Sequence, residues 1–191
     1  MLKPKNIILA GVGGQGIILA SNILAECLLE KGFDVKKSET NGLAQRGGAV
    51  VSFIRFGQKV HSPMVGLAEA DYLVAFEKLE AGRNLPFALT GTTILLNDFK
   101  IPPLLVAIGV EKYPENIEEI LSKVCKTILV PATELAEEAG SAKTINLVML
   151  GVLSRLLPVN ENIWEKVISE YFKDSEKIKI NLAAFELGRK F

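Results

Sequence analysis

An apolar run near the start of the chain is followed by glycines and then by a helical pattern. The run over residues 5–10 is typical of a strand buried on both faces of a largely parallel sheet. After the segment GVGGQG at 11–16, apolar side chains recur at helical spacing up to Leu28, and Gly32 marks the end of the helix. The pattern predicts the first half of a βαβ unit. A second strand over about 33–39 is predicted to lie beside the first, as the rule of right-handed crossovers suggests.

The middle of the chain alternates between short apolar runs and helical segments. The segment 49–62 is rich in β-branched and aromatic residues and is interrupted by Gly57 and Gln58, which predicts an antiparallel hairpin. Helical patterns follow in EKLEAGRNL and PENIEEILSKV. Further buried strands are predicted at 71–76, 93–96, 104–108 and 127–130.

From Pro131 onward the pattern is helical, and it predicts four helices. The apolar face around Trp164 favours a core position, with a subunit interface as the alternative. The predicted fold is α/β: a three-layer, Rossmann-like, mostly parallel sheet with an antiparallel hairpin and a helical C-terminal part. We expect a single domain over 1–191, with an α/β core at about 1–131 and a helical part at about 132–191.

Composition narrows the possible functions. Twenty-two basic and 22 acidic residues give a net charge of zero, so a general attraction to nucleic acid is not expected. Cys27 and Cys125 lack the close cysteine spacing of metal and iron–sulfur sites, so no metal site is predicted, and Cys27 is expected to be buried in the first helix. No apolar stretch is long enough to cross a bilayer, and we expect a cytoplasmic protein without a membrane partner.

The glycine turn is a candidate phosphate site. Gly11, Gly13 and Gly16 have the spacing G-x-G-x-x-G between a predicted strand and a predicted helix, and Glu39 stands at the end of the next strand. Glycines let the backbone approach a phosphate, and the helix N-terminus presents free N–H groups to it. An NAD site is one interpretation; the other is a turn that serves only close packing.

A second glycine-rich loop, QRGG at 45–48, follows the second predicted strand. It places the guanidinium of Arg46 where the carboxyl edge of a parallel sheet gathers ligands. The two loops are therefore predicted to face one crevice. Alternatively, Arg46 caps a helix or pairs with a surface carboxylate.

Four other residues are notable for their type and position. His61, the only histidine, is predicted to be an exposed strand-end residue without a catalytic role. Ser62 is predicted to shape the edge of the crevice. Asn146 could bind a ligand or pair with neighbouring backbone. Arg55 is either a partner contact or a solvated edge charge.

Taken together, five segments give the chain a resemblance to a known family over nearly its whole length. It resembles the gamma subunit or domain of the 2-oxoacid:ferredoxin oxidoreductases, and within them the small subunit of the indolepyruvate type. The segments that carry the resemblance are GVGGQGIILASNILAE, SETNGLAQRGGAVVSFIRFG, HSPMV, ADYLVAFEKLEAGR and INLVMLGVLSRL. At Thr40 and Asn41 the sequence departs from what family members often carry before the glycine.

The resemblance implies a subunit that is inactive alone, with no catalytic residue of its own. It implies a large partner subunit that holds thiamine diphosphate, magnesium and iron–sulfur clusters, and ferredoxin as the electron acceptor. Indolepyruvate or other aryl pyruvates are the implied substrates, and coenzyme A is expected at the crevice. A stand-alone NAD-binding oxidoreductase and a non-catalytic scaffold remain as alternatives. The predicted cofactor-binding residues are Gly11, Gly13, Gly14, Gln15, Gly16, Glu39, Gln45, Arg46, Gly47, Gly48, Ser62 and Asn146.

Overall fold

The computed structural model describes residues 3–41 and 47–191, and in them it shows a three-layer α/β fold. The strands are β1 Lys5–Val12, β2 Asp34–Asn41, β3 Ala49–Gly57, β4 Tyr72–Ala75, β5 Thr93–Asn97 and β6 Lys126–Val130. The helices are α1 Ile17–Glu30, α2 Lys78–Asn84, α3 Leu104–Ala107, α4 Ile117–Val124, α5 Ala132–Glu138, α6 Ile145–Ser154, α7 Glu161–Tyr171 and α8 Ser175–Lys190. Within these described ranges, none of the helices combines the length and the apolar character that a membrane span requires.

The six strands form one sheet in the order β2-β3-β1-β4-β5-β6. Strands β1, β4, β5 and β6 run parallel, whereas β3 is antiparallel to both of its neighbours. The predicted α/β class, the mostly parallel sheet and the antiparallel hairpin are confirmed. The hairpin, however, consists of β2 and β3. The turn predicted at Gly57 does not form a hairpin within 49–62, because Gly57 is the last residue of β3.

Two strand predictions were wrong in instructive ways. The second strand does not lie beside the first, because β3 pairs with β1 along its whole length and occupies that place. The crossover rule fixes the handedness of the connection between two parallel strands, but it does not exclude a third strand between them. The run at 104–108 is the short helix α3: it follows Pro102 and Pro103, which suit a helix start, and a short apolar run cannot distinguish strand from helix.

The sheet is covered on both faces, and alternate side chains of its strands enter two separate cores. Ile7 and Leu9 of β1 face the core beneath α1 and the C-terminal helices, which also holds Trp164 and Phe185. Trp164 is 1% exposed and its ring lies 5.3 Å from that of Phe185, so its face belongs to the core. Ile8 of β1 faces the opposite core, beneath α2 and α4.

Helices α6 and α8 make unusually close backbone contact. A Cβ atom added at Gly151 would lie 2.1 Å from the carbonyl oxygen of Phe185, and one at Gly188 would lie 2.1 Å from that of Val148. Real Cβ atoms do not approach that closely, so both positions require glycine. This contact fixes α8 against α6.

The long connection from β5 to α4 is held at its base by a buried carboxylate. Glu77, 1% exposed, caps α2 by accepting a hydrogen bond from the backbone N–H of Glu80. Its second oxygen accepts from the N–H of Ile101 and from the hydroxyl of Tyr113. Lys78 pairs with Asp98 and Glu118 at the same place.

Candidate functional site

The glycine turn lies at the carboxyl edge of β1 and is closed by its own glutamine. The side-chain oxygen of Gln15 accepts a hydrogen bond from the N–H of Val12 at 2.8 Å, and its amide nitrogen donates to the carbonyl of Phe76 at 2.9 Å. Gly11 leaves room for this, because a Cβ there would lie 2.7 Å from the Gln15 oxygen. The amide of Gln15 therefore ties β1 to the end of β4 at the carboxyl edge of the sheet.

The second glycine-rich loop meets the turn through the main chain. The N–H of Gly13 donates to the carbonyl of Gly48 at 2.8 Å, and the N–H of Gly47 donates to the carbonyl of Gly13 at 3.4 Å. Gln45 and Arg46 lie outside the described residues. Four of the predicted glycines thus belong to one edge of the sheet: Gly11, Gly13, Gly47 and Gly48.

Gly14 and Gly16 adopt the left-handed backbone conformation, with φ of 107° and 77°. This conformation favours glycine and turns the chain into α1. Gly16 gives α1 no side-chain cap, and the first turn of α1 carries no acidic residue. The first N–H groups of α1 are therefore available to an external acceptor.

Two predicted site residues lie elsewhere. Glu39 is paired with Ser52 of β3, so a whole strand separates it from β1, and its carboxylate forms an ion pair with Lys37 at 2.6 Å. It cannot take the ribose-binding role of an NAD site at this turn. Ser62 follows β3 at the opposite, amino edge of the sheet, where its carbonyl accepts a hydrogen bond from Arg55. His61 beside it is exposed, as predicted.

Arg55 is engaged inside the protein, not left as a solvated edge charge. Its Nε donates to the side-chain oxygen of Asn6 at 2.8 Å, and its guanidinium also donates to the carbonyl of Met64 at 2.8 Å. The side chain of Arg55 therefore positions the connection that follows β3.

Asn146 is brought to the glycine turn by α6. It is 2% exposed, and its amide nitrogen donates to the carbonyl of Gly16 at 3.4 Å. Its side-chain oxygen is buried and has no partner among the described residues. Buried polar atoms are normally hydrogen-bonded, so this oxygen is an unsatisfied acceptor among the described residues.

A cavity of about 310 Å³ has Asn146 among its lining residues, and we call it the lysine cavity. The glycine turn forms one wall, and the first turns of α6 and α8 form the others. Its lining residues include Gly14, Gly16, Lys143, Asn146, Phe172 and Lys177. Sequence reasoning missed both lysines, because the contact between α6 and α8 that brings Lys177 here leaves no local pattern.

The described part of the chain offers few other groups suited to nucleophilic catalysis or metal binding. Both cysteines are buried free thiols, and burial raises the pKa of Cys27 well above its ordinary value. No group of three histidine, cysteine or acidic side chains that could hold a metal ion occurs among residues 3–41 and 47–191.

Comparison with known proteins assigns the chain to a family. Residues 6–191 match the family model described as pyruvate ferredoxin/flavodoxin oxidoreductase. The indolepyruvate oxidoreductase subunit IorB of Thermococcus kodakarensis is 36% identical over 99% of this chain and 96% of its own length. The IorB subunit of Archaeoglobus fulgidus is 38% identical over 96% of this chain and 92% of its own length.

Solved structures agree in fold. The 2-oxoglutarate:ferredoxin oxidoreductase of Magnetococcus marinus, with 2-oxoglutarate, coenzyme A and succinyl-CoA bound, matches 100% of this chain with a TM-score of 0.78 and 25% identity. This chain corresponds to 31% of that longer chain. The chain belongs to the pyruvate ferredoxin/flavodoxin oxidoreductase family and is the small subunit of a 2-oxoacid:ferredoxin oxidoreductase.

Proposed function

We propose that this subunit completes the active site of an indolepyruvate:ferredoxin oxidoreductase that converts aryl pyruvates to acyl-CoA. The observation that carries the proposal is the similarity to IorB subunits along nearly the entire chain. In this proposal the chain acts as one gamma-type domain, 1–191, in the cytoplasm. A large partner subunit supplies thiamine diphosphate, magnesium and the iron–sulfur clusters, and ferredoxin accepts the electrons.

The contribution of this chain is a surface for coenzyme A. Its two glycine loops are joined by main-chain hydrogen bonds at the carboxyl edge of the sheet, which supports a shared phosphate-facing crevice. The residues proposed to line it are Gly11, Gly13, Gly14, Gly16, Gln45, Arg46, Gly47, Gly48 and Asn146. Gln15 takes part by holding the turn in shape, since both ends of its amide are bonded to backbone. Glu39 and Ser62 are left out of this surface for the reasons given above.

The substrate and the assembly are tested together. The chain is co-expressed with a candidate large subunit and purified through a tag on this chain, and viologen reduction is followed anaerobically with indolepyruvate and coenzyme A. Activity that requires both chains and coenzyme A is the expected result. Failure of the two chains to associate, or activity only with other 2-oxoacids, would contradict the corresponding part of the proposal.

The crevice is tested with Arg46→Ala in the assembled complex. Arg46 directly precedes Gly47, whose N–H is bonded to the glycine turn. Loss of a guanidinium that pairs with a phosphate weakens coenzyme A binding by about tenfold. Arg155→Ala is the matched control, because Arg155 is exposed at the end of α6, where that helix reaches the amino edge of the sheet. Equal coenzyme A affinity of both variants and the unmodified complex would remove Arg46 from the site.

A further inference from the structure

The connection between β5 and α4 carries an inference about how this chain is held in its complex. Residues 101–113 of that connection follow the carboxyl end of β5 and return to the same edge of the sheet, because α4 leads to β6, which is parallel to β5. We call these residues the apolar arm. We propose that the apolar arm docks into an apolar recess of the large partner subunit and anchors the two chains to each other. The identity of that partner rests on the proposed function.

The first argument is the concentration of exposed apolar side chains in the arm. Fifteen large apolar side chains are exposed among the described residues, and four of them lie within 104–110: Leu104, Leu105, Ile108 and Val110. Their exposed fractions range from 45% to 73%, and none of the four belongs to either core. Single exposed apolar residues are ordinary, but a cluster of this kind marks a surface that another molecule covers.

The second argument is that the arm has a hydrogen-bonded structure of its own, although it lies outside both cores. The N–H of Ala107 donates to the carbonyl of Pro103 at 2.8 Å, and the N–H of Val110 donates to the carbonyl of Leu105 at 2.9 Å. Gly109, with φ of 77°, supplies the left-handed position that ends α3. The exposed side chains are therefore presented on a preformed turn, which loses little conformational freedom when it docks.

The third argument is the rigid base of the arm. The carboxylate of Glu77 accepts a hydrogen bond from the N–H of Ile101 at 3.0 Å, at one end of the arm, and another from the hydroxyl of Tyr113, at the other end. The oxygen of Tyr113 also accepts a hydrogen bond from the N–H of Leu79 at 3.0 Å, in α2. One buried carboxylate thus closes the arm into a loop, so its apolar side chains project from a fixed base.

The size and position of this surface indicate which partner covers it. Four side chains exposed to this extent present on the order of 300 Å² of apolar surface, whereas a stable interface buries about 800 Å² on each partner. The arm is therefore one anchor of an interface that must continue over neighbouring surface. That neighbour includes the glycine turn, because β4 alone separates β1 from β5 and the carboxyl ends of these two strands lie about 10 Å apart. A large subunit that completes the active site at this edge also reaches the base of the arm.

The composition of the arm favours a permanent partner. The ten residues 101–110 contain no charged or polar side chain, and permanent interfaces are more apolar than transient ones. In the Magnetococcus marinus relative, the same fold is part of a longer chain and cannot dissociate from the rest of it. Both observations favour the large subunit over a second copy of this chain.

The test is isothermal titration of the full chain into the purified large subunit, without substrate or coenzyme A. The double variant Leu104→Gln/Ile108→Gln replaces two exposed apolar side chains and leaves both cores and the bonds of Glu77 intact. Because an anchor in an apolar recess contributes roughly tenfold or more to affinity, the Kd is expected to rise by about a hundredfold. The matched control is Met64→Gln/Leu67→Gln, at positions 70% and 69% exposed in the connection from β3 to β4 at the amino edge of the sheet, and it is expected to bind as the unmodified chain does.

The outcomes separate this inference from the proposed function. Weaker binding of the arm variant alone, with Leu104→Met/Ile108→Leu retaining most of the affinity, is the expected result, and thermal unfolding followed by circular dichroism should show the same Tm for all variants. An arm variant that binds the large subunit as tightly as the unmodified chain, in a complex that is active, overturns the inference and leaves the proposed function intact. Light scattering that shows a dimer of the unmodified chain and a monomer of the arm variant, with equal affinity for the large subunit, assigns the arm to a second copy and also overturns it. Failure of the unmodified chain to bind the large subunit contradicts the proposed function itself, and the inference falls with it.

Discussion

The glycine at position 151 offers the sharpest test of the packing between α6 and α8. Replacing a helical glycine by alanine ordinarily stabilises a protein by up to about 1 kcal/mol, because the unfolded chain loses conformational freedom. At Gly151 the new Cβ would meet the carbonyl oxygen of Phe185 at 2.1 Å and the backbone nitrogen of Arg189 at 2.9 Å. These are backbone atoms of a neighbouring helix, and no side-chain rotation can move them away.

The expected magnitude follows from that geometry. Restoring an ordinary contact of about 3.5 Å requires the two helices to separate by on the order of 1 Å, which forfeits a quarter to a half of the dispersion energy along the interface. Overpacking of this kind costs about 1–3 kcal/mol, and we place Gly151→Ala at the upper end. After the helix-propensity gain is subtracted, the free energy of unfolding should fall by about 2 kcal/mol and Tm by about 4–8 °C.

Urea denaturation and thermal unfolding followed by circular dichroism measure the effect. Gly82→Ala is the matched control: it lies inside α2, and the nearest atom to its added Cβ is a methyl carbon of Ile117 at 3.9 Å. That control should gain about 0.5–1 kcal/mol. If Gly151→Ala were as stable as the unmodified chain, the backbone contact between α6 and α8 would be refuted. Gly188→Ala should behave like Gly151→Ala, and the double variant should cost less than the sum because the first substitution already separates the helices.

Three further predictions concern Gln15, Tyr113 and Cys27. Gln15→Glu places a carboxylate oxygen against the Phe76 carbonyl, to which the amide nitrogen now donates, so the free energy of unfolding measured in urea should fall by about 2–3 kcal/mol. Gln58→Glu, at an exposed position, is the control. Equal stability of the two variants would contradict the role of the amide. Burial and the bond to Glu77 raise the pKa of Tyr113, so the folded state retains this proton above the unfolded pKa of about 10 and stability falls as the pH rises beyond it. Tyr113→Phe should lower stability at pH 7 by about 1–2 kcal/mol and flatten that alkaline decline, and an unchanged decline would exclude Tyr113 as a source of it. Cys27 is fully buried, and burial raises the pKa of its thiol. In a Cys125→Ser background, this thiol should therefore react with iodoacetamide at pH 8 only as fast as the protein unfolds. Rapid alkylation of the native chain would show that the thiol is accessible.

Much of the fold could be read from local patterns, and the failures share a cause. The turn and α1 were predictable because the glycines and the helical spacing that define them are adjacent in sequence. The position of β3 between β1 and β2 was not, because pairing order depends on contacts between distant segments. For the same reason α3 resembled a strand: its apolar run is short, and its exposure, with Leu104 73% exposed, is set by the tertiary structure.

The candidate site shows the same division. The left-handed turn at the glycines and the helix start near Asn146 leave local signals in residue type, so this part of the structure could be predicted, whereas ligand binding by these residues stays a prediction. The role of Gln15 was hidden, because its partner Phe76 lies 61 residues away. Glu39 was misplaced as a consequence of the strand order, and Lys177 reaches the cavity only through the packing of α8.

The course of β1, α6 and α8 has a practical consequence for handling the protein. Strand β1 runs from Lys5 at the amino edge to Val12 at the turn, which separates them by about 23 Å. Helix α8 begins at the lysine cavity, and its last turn is anchored by the ion pair of Arg189 with Glu161, at 2.8 Å. Because Glu161 adjoins Asn160, which is bonded to Lys31 beyond the far end of α1, Phe191 lies on the side of the molecule that is remote from the glycine turn. An affinity tag or a surface tether attached before Lys3 or after Phe191 therefore leaves the proposed ligand sites unobstructed, so the tagged chain serves for immobilised binding assays.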